Sequence, residues 1–163
     1  MSSRTASYSL SIWAKVTPVR AYELSGPLDP TKFYPGQGPL PAVVRVENQT
    51  GSWDAVGRTR TLMLSDGGHV VETITDAASP DLFTYELTDF QKLFGRLVSG
   101  ARAEWRFERE AGGTSIRWTY TFFALPGRTG IVRAIVKLLW APYMRRVLPP
   151  IAREVERLAR SVT

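Results

Sequence analysis

The stretch GRTRTLMLSDGGHVVETIT, residues 57–75, decides the fold. In 57–65, Arg60, Leu62 and Leu64 alternate with Thr59, Thr61 and Met63. In 69–75, Val70, Glu72 and Ile74 alternate with Val71, Thr73 and Thr75. A period of two marks a strand with one buried face. Asp66-Gly67-Gly68 between the runs supplies residues that tolerate a tight hairpin turn, so the two strands pair antiparallel. Arg60 and Glu72 then fall on the same side as the aliphatic residues, where a lone charge is costly. Across the hairpin they are placed to pair with each other, with tyrosine hydroxyls or with a ligand.

The pattern spreads outward from this hairpin. Toward the N-terminus, 42–49 reads as a further strand, and Tyr8, Leu10 and Ile12 alternate with Ser7, Ser9 and Ser11. Pro18 opens a short helix to about Leu24. The segment 26–41 holds five prolines and three glycines around Phe33 and Tyr34, which leaves room for one helical turn inside a loop. Toward the C-terminus, strands at 82–88, 101–110 and 114–124 follow, the last two joined by Ala111-Gly112-Gly113. Short connections make all seven strands antiparallel neighbours. Their inward set is Phe83, Tyr85 and Leu87, then Trp105 and Phe107, then Ile116, Trp118, Tyr120 and Phe122. Arg117, Thr119 and Thr121 face solvent with the threonine and Met63 positions of the hairpin.

After Pro126-Gly127 the period changes to three or four. Apolar residues recur from Ile131 through Leu139, Tyr143 and Val147 to Ala159, with Arg133, Lys137, Arg145, Arg146 and Arg153 off the stripe. Pro142, Pro149 and Pro150 interrupt it, predicting helices over about 129–141 and 143–161 with a disturbance near 149. The expectation is an α+β fold in one domain over residues 1–163. A curved sheet of about seven antiparallel strands wraps a long, proline-kinked C-terminal helix, with short helices after the first strand and an apolar cavity between sheet and helix.

Composition narrows the chemistry. The chain has 163 residues, 44% hydrophobic and 22% charged, enough to bury a core without cross-links. With no cysteine there are no disulfides, no thiolate nucleophile and no cysteine-ligated metal. His69 is the only histidine and follows two glycines at the hairpin, where a solvated side chain is expected; no metal site and no cofactor are predicted. Asp54, Asp76, Asp81 and Asp89 fall at turns and strand ends and read as turn chemistry. The net charge of +6 is scattered without a basic block, so nucleic acid is not expected as a partner. No apolar run is long enough to span a membrane, and no signal-peptide core precedes the first strand. A cytoplasmic protein, monomer or homodimer, follows, with at most weak peripheral membrane contact through the Arg-bearing helix.

The segment 51–75, GSWDAVGRTRTLMLSDGGHVVETIT, then FTYEL at 83–87 and GGTSIRWTYTF at 112–122, ahead of the amphipathic helix, resembles the SRPBCC superfamily. This is the START-like, birch-pollen-allergen-like helix-grip fold, and the polyketide cyclase/dehydrase-like branch is the most similar. The resemblance covers essentially the whole chain. It implies a cavity for a lipid, sterol, polyketide or hormone-like molecule, with Arg60, Glu72, Tyr85, Trp118 and Tyr120 around it and 26–41 and Trp53 near its mouth. The proline-divided last helix departs from the usual continuous one.

Two functions are therefore in view. The first is binding or carriage of a small hydrophobic ligand by Arg60, Leu62, Glu72, Ile74, Phe83, Tyr85, Trp105, Trp118, Tyr120, Leu139 and Tyr143, since aromatic walls with polar tips suit such molecules. The second is a cyclase/dehydratase- or hydrolase-type enzyme. In it Glu72 is the general acid or base, and Arg60 or Tyr85 steadies a developing oxyanion.

Overall fold

A computed structural model describes residues 3–161. Seven strands form one antiparallel sheet: β1 (Thr5–Ala14), β2 (Val43–Glu47), β3 (Thr59–Leu64), β4 (His69–Ala78), β5 (Leu82–Thr88), β6 (Val98–Glu110) and β7 (Gly113–Ala124). Their order is β1-β7-β6-β5-β4-β3-β2. Every neighbour after β2 is reached by a short connection, whereas β1 and β2 lie on opposite edges. The chain crosses between those edges through α1 (Pro18–Ser25) and α2 (Pro30–Phe33). Thr17 and Asp29 cap the two helices by accepting from the backbone N–H of Arg20 and Thr31, and a proline opens each.

The predicted register holds along the sheet. Arg60 lies opposite Glu72, Tyr85 opposite Ile74, and Trp105 opposite Trp118. The inward residues Leu62, Val70, Ile74, Phe83, Trp105, Ile116 and Phe122 are all buried. β4 runs further than the alternation indicated, to Ala78, through an irregularity between Ile74 and Asp76. That irregularity places Thr75 and Asp76 against Thr84, whose hydroxyl is 2.6 Å from Thr75 Oγ1 and donates to Asp76 Oδ2 at 3.1 Å. Thr84 is thereby buried on the outer face without an unmet polar atom.

The C-terminal helix corrects one expectation. It runs as α3 (Thr129–Ile135), a π-helical turn (Val136–Trp140) and α4 (Ala141–Ser161), and passes through Pro149 and Pro150 without a break. The disturbance lies at 136–140, not near 149. There the Ala141 N–H donates to the Val136 carbonyl, five residues back, so the helix widens just ahead of Pro142. Pro142 then sits in the first turn of α4, where no N–H is required. Two internal prolines cost about 3 kcal/mol each. Burying Tyr143, Met144, Val147, Leu148, Ile151 and Val155 contributes roughly 1.5–3 kcal/mol per side chain. The packed face outweighs the lost hydrogen bonds, and α4 stays helical against α1 and β1. Among the described residues no helix is long and apolar enough to cross a membrane.

Candidate functional site

Between the concave face of the sheet and the C-terminal helix lies a cavity of about 340 Å³, partly open to solvent. β3 and β4 supply Arg60, Leu62, Leu64, Val70 and Glu72; β5 and β7 supply Leu87, Tyr120 and Phe122. The widened helix turn supplies Leu139 and Trp140, with Ile135 before it and Tyr143 after it. The proline-rich segment closes one side with Pro30, Tyr34, Pro39, Leu40 and Pro41, and the β5–β6 connection closes another. A second chamber of about 40 Å³, with room for about two waters, lies between Trp53, Phe83, Tyr85, Trp105 and Ile151. Arg60, Tyr34 and Pro30 border both, so the arginine stands in the partition.

Arg60 is the polar centre of this arrangement. Its Nε donates to Glu72 Oε1 at 2.7 Å, and the two residues are only 7% and 3% exposed. Its guanidinium carbon lies 4.1 Å from the centre of the Trp53 ring. The cation is thus compensated twice, by a carboxylate and by an aromatic face. Around the pair stand three enclosed phenols. Burial holds the hydroxyls of Tyr34 and Tyr120 well above the ordinary tyrosine range, and the proximity of Tyr85 and then of Glu72 adds to the effect at both. Tyr85 is raised for the same leading reason, with Glu72 next, and it accepts a hydrogen bond from Trp105 Nε1 at 3.5 Å. Tyr143 is pushed up to about 12 by burial, and its hydroxyl donates to the Pro35 carbonyl at 2.7 Å, tying α4 to the proline-rich segment. At neutral pH all four are uncharged hydrogen-bonding groups.

The walls are aromatic. Tyr120, Phe122 and Tyr143 lie around Trp140 with ring centres 4.8, 5.4 and 5.3 Å away, and Phe90 and Phe94 continue from Phe122. The buried indole N–H groups of Trp118 and Trp140 have no hydrogen-bond acceptor among the described residues. Each such donor costs about 1–3 kcal/mol. Among the described residues no three histidine or acidic side chains come together as a metal set.

The sequence-derived residues divide into three groups. Arg60, Leu62, Glu72, Tyr120, Leu139 and Tyr143 line the larger cavity. Phe83, Tyr85 and Trp105 line the smaller chamber, which Arg60 shares. Ile74 and Trp118 line neither. They sit deeper in the core, and Trp118 stacks on Trp105 at 5.0 Å. Trp53, which the resemblance placed near the mouth, is buried against the Arg60 guanidinium and lines the smaller chamber, not the larger one. His69 is partly exposed, and its Nε2 is 2.6 Å from Asp89 Oδ2, so the two clamp β4 to the end of β5.

Sequence reasoning missed the β5–β6 connection. Phe90, Gln91, Lys92, Leu93, Phe94 and Leu97 all line the larger cavity, with a 3₁₀ turn over Phe94–Arg96. A signal was present: Phe90, Leu93, Phe94 and Leu97 are spaced i, i+3, i+4, i+7, an apolar face on a short helical turn. Lys92, Leu93, Pro39 and Asp66 are the exposed members of the lining and therefore mark the mouth.

The model of a family described as polyketide cyclase / dehydrase and lipid transport matches residues 7–163. No curated protein matches the chain significantly. Solved structures share the fold at low identity. Ara h 8.0201 has a TM-score of 0.57 at 16% identity, covering 96% of this chain and 99% of its own. Truncated norcoclaurine synthase from Thalictrum flavum has a TM-score of 0.66 at 11% identity, covering 95% and 96%. The di-domain ARO/CYC StfQ from the steffimycin biosynthetic pathway has a TM-score of 0.67 at 13% identity; the match covers 98% of this chain and 53% of that one, so the chain spans about half of the di-domain protein. These likenesses establish the helix-grip architecture, and the family model establishes membership: the chain belongs to the polyketide cyclase / dehydrase and lipid transport family.

Proposed function

We propose that this protein binds and carries a small, largely apolar molecule in the cavity between sheet and C-terminal helix. The observation that carries the reading is the cavity itself: about 340 Å³ of space, walled by aliphatic and aromatic side chains, with a few convergent polar groups at Arg60, Glu72, Tyr34 and Tyr120. That is the general make-up of a small-molecule site. Empty apolar space of this size is destabilising, because its lining forgoes the contacts that a filled core makes. A ligand restores them. The aromatic cluster around Trp140 favours a flat or ring-bearing body. Membership of a family described by cyclase, dehydrase and lipid-transport activities supports the same class of ligand.

The test is occupancy. Native mass spectrometry of the purified protein and titration with a fluorescent aromatic probe should both report one ligand per chain. A Leu139→Trp variant, which fills the cavity from the helix side, should lose probe binding by at least tenfold while its circular dichroism is retained. Equal binding by wild type and Leu139→Trp would overturn the assignment.

A catalytic reading has one observation in its favour. Glu72 lines the cavity as a carboxylate and lies close enough to Tyr34, Tyr85 and Tyr120 to perturb their hydroxyls. A positioned carboxylate with phenols nearby is the equipment of proton transfer to or from a carbonyl-bearing substrate. In that case Glu72→Gln binds substrate and loses turnover; if turnover is retained, the catalytic role is lost.

A further inference from the structure

We infer that the cavity selects uncharged ligands, molecules whose polar end is a hydroxyl or carbonyl and not a carboxylate, and that Glu72 sets this selectivity by neutralising Arg60. The inference rests on the cavity being a ligand site and specifies its chemistry. A buried arginine at the base of an apolar cavity would by itself recruit an anion. Here the cation already has its counter-ion, with Arg60 Nε donating to Glu72 Oε1 at 2.7 Å, and its face is covered by the Trp53 ring at 4.1 Å. The other charged groups of the lining, Asp66 and Lys92, are exposed at the mouth and of opposite sign. The enclosed part of the cavity therefore offers no uncompensated positive charge.

A ligand carboxylate entering this space has two courses, and both are unfavourable. It can remain unpaired beside Glu72, adding a like charge in a water-poor site. It can displace Glu72 from Arg60, which strands a protein carboxylate in place of its own. A hydroxyl or carbonyl carries no such cost. Tyr34 and Tyr120 remain protonated and line the same cavity, so they can donate to a carbonyl or accept from a hydroxyl, while Tyr143, whose hydrogen goes to the Pro35 carbonyl, can still accept.

The experiment compares two probes of nearly the same shape, 9-anthracenemethanol and anthracene-9-carboxylate, titrated by fluorescence into the full chain at pH 7. Wild type should bind the alcohol at least tenfold more tightly than the carboxylate. In Glu72→Gln, which keeps the side chain's shape and releases Arg60, the order should reverse. In Arg60→Gln/Glu72→Gln, which has neither charge, the carboxylate should gain nothing over wild type. Equal or tighter binding of the carboxylate by wild type overturns the inference even if neither variant folds. An unchanged preference in folded Glu72→Gln overturns it as well. Binding of neither probe overturns the ligand-site reading itself, a result distinct from a wrong preference.

Discussion

Removing Arg60 and removing Glu72 should destabilise the protein by comparable amounts at pH 7 and by very different amounts at pH 5. The pair is buried at 7% and 3% exposure, with Arg60 Nε donating to Glu72 Oε1 at 2.7 Å. Breaking such a pair costs about 3–5 kcal/mol, whereas replacing both members with apolar residues of similar volume is neutral or favourable. In Arg60→Met the abandoned carboxyl has an escape, because it can take up a proton and be buried neutral. From the ordinary glutamate value near 4.3, that uptake costs about 3.7 kcal/mol at pH 7 and only about 1 kcal/mol at pH 5. The sign follows from linkage. A carboxyl that is protonated in the folded variant and ionised in its unfolded chain favours folding increasingly as pH falls toward 4.3. In Glu72→Leu the guanidinium has no such route, since arginine stays charged, and only the Trp53 face remains to it. Its penalty should stay near 3–5 kcal/mol at both pH values. Guanidinium unfolding of wild type, both single variants and Arg60→Met/Glu72→Leu at pH 7 and pH 5 gives the cycle directly. The double variant should lie within about 1 kcal/mol of wild type or above it. Additive single losses, or an Arg60→Met penalty that is equal at the two pH values, would refute the account of the pair.

The raised phenols of Tyr34, Tyr85 and Tyr120 should hold their protons past pH 10 and release them only on unfolding, seen as a cooperative rise in tyrosinate absorbance. Their contribution is whole below the unfolded value near 10 and is lost above it at about 1.4 kcal/mol per pH unit for each phenol. Thermal denaturation across that range checks the slope. A Cβ at Gly113, opening β7, would overlap the Ala14 carbonyl oxygen and the Trp13 ring, so Gly113→Ala should cost about 1–3 kcal/mol of unfolding free energy. Pro150→Ala restores a helix N–H four residues beyond the Arg146 carbonyl. It should raise stability by up to about 2 kcal/mol, the difference between about 3 kcal/mol of helix strain and about 1 kcal/mol of lost unfolded-chain restriction. A fall in melting temperature would count against that ledger.

The sheet was legible because its information is local and repeated. Every strand from β3 to β7 carries the same alternation, and a shift by one residue would have sent Phe83, Tyr85 and Trp105 to solvent and the outward threonines to the core. The Arg60–Glu72 pairing could be read for the same reason: once Asp66-Gly67-Gly68 fixes the hairpin, cross-strand partners follow by counting. Burial alone did not say which inward residues meet empty space. Ile74 and Trp118 satisfy the alternation as well as Leu62 and Tyr120 do, yet they pack against core and not cavity. Whether a buried side chain borders a void depends on the curvature of the sheet and the height of the helix above it, and neither is encoded at a single position.

The C-terminal helix shows how a local rule yields to tertiary packing. Read singly, Pro149 and Pro150 end a helix and Pro142 begins a new one. The structure inverts that hierarchy: the adjacent pair is absorbed, and the adjustment falls ahead of Pro142. Residues 147–155 bury one continuous apolar face against the sheet, and breaking the helix there would expose it for the sake of two hydrogen bonds. At 136–140 the outward side carries Lys137 and exposed Leu138, so widening the helix disturbs little packing. The widened turn carries Leu139 and Trp140 on the cavity side, beside the β5–β6 connection that also escaped the sequence reading. Both features that sequence reasoning misplaced therefore lie along one border of the cavity. That is where sequence patterns constrain structure least, because these segments border open space on one side and core on the other.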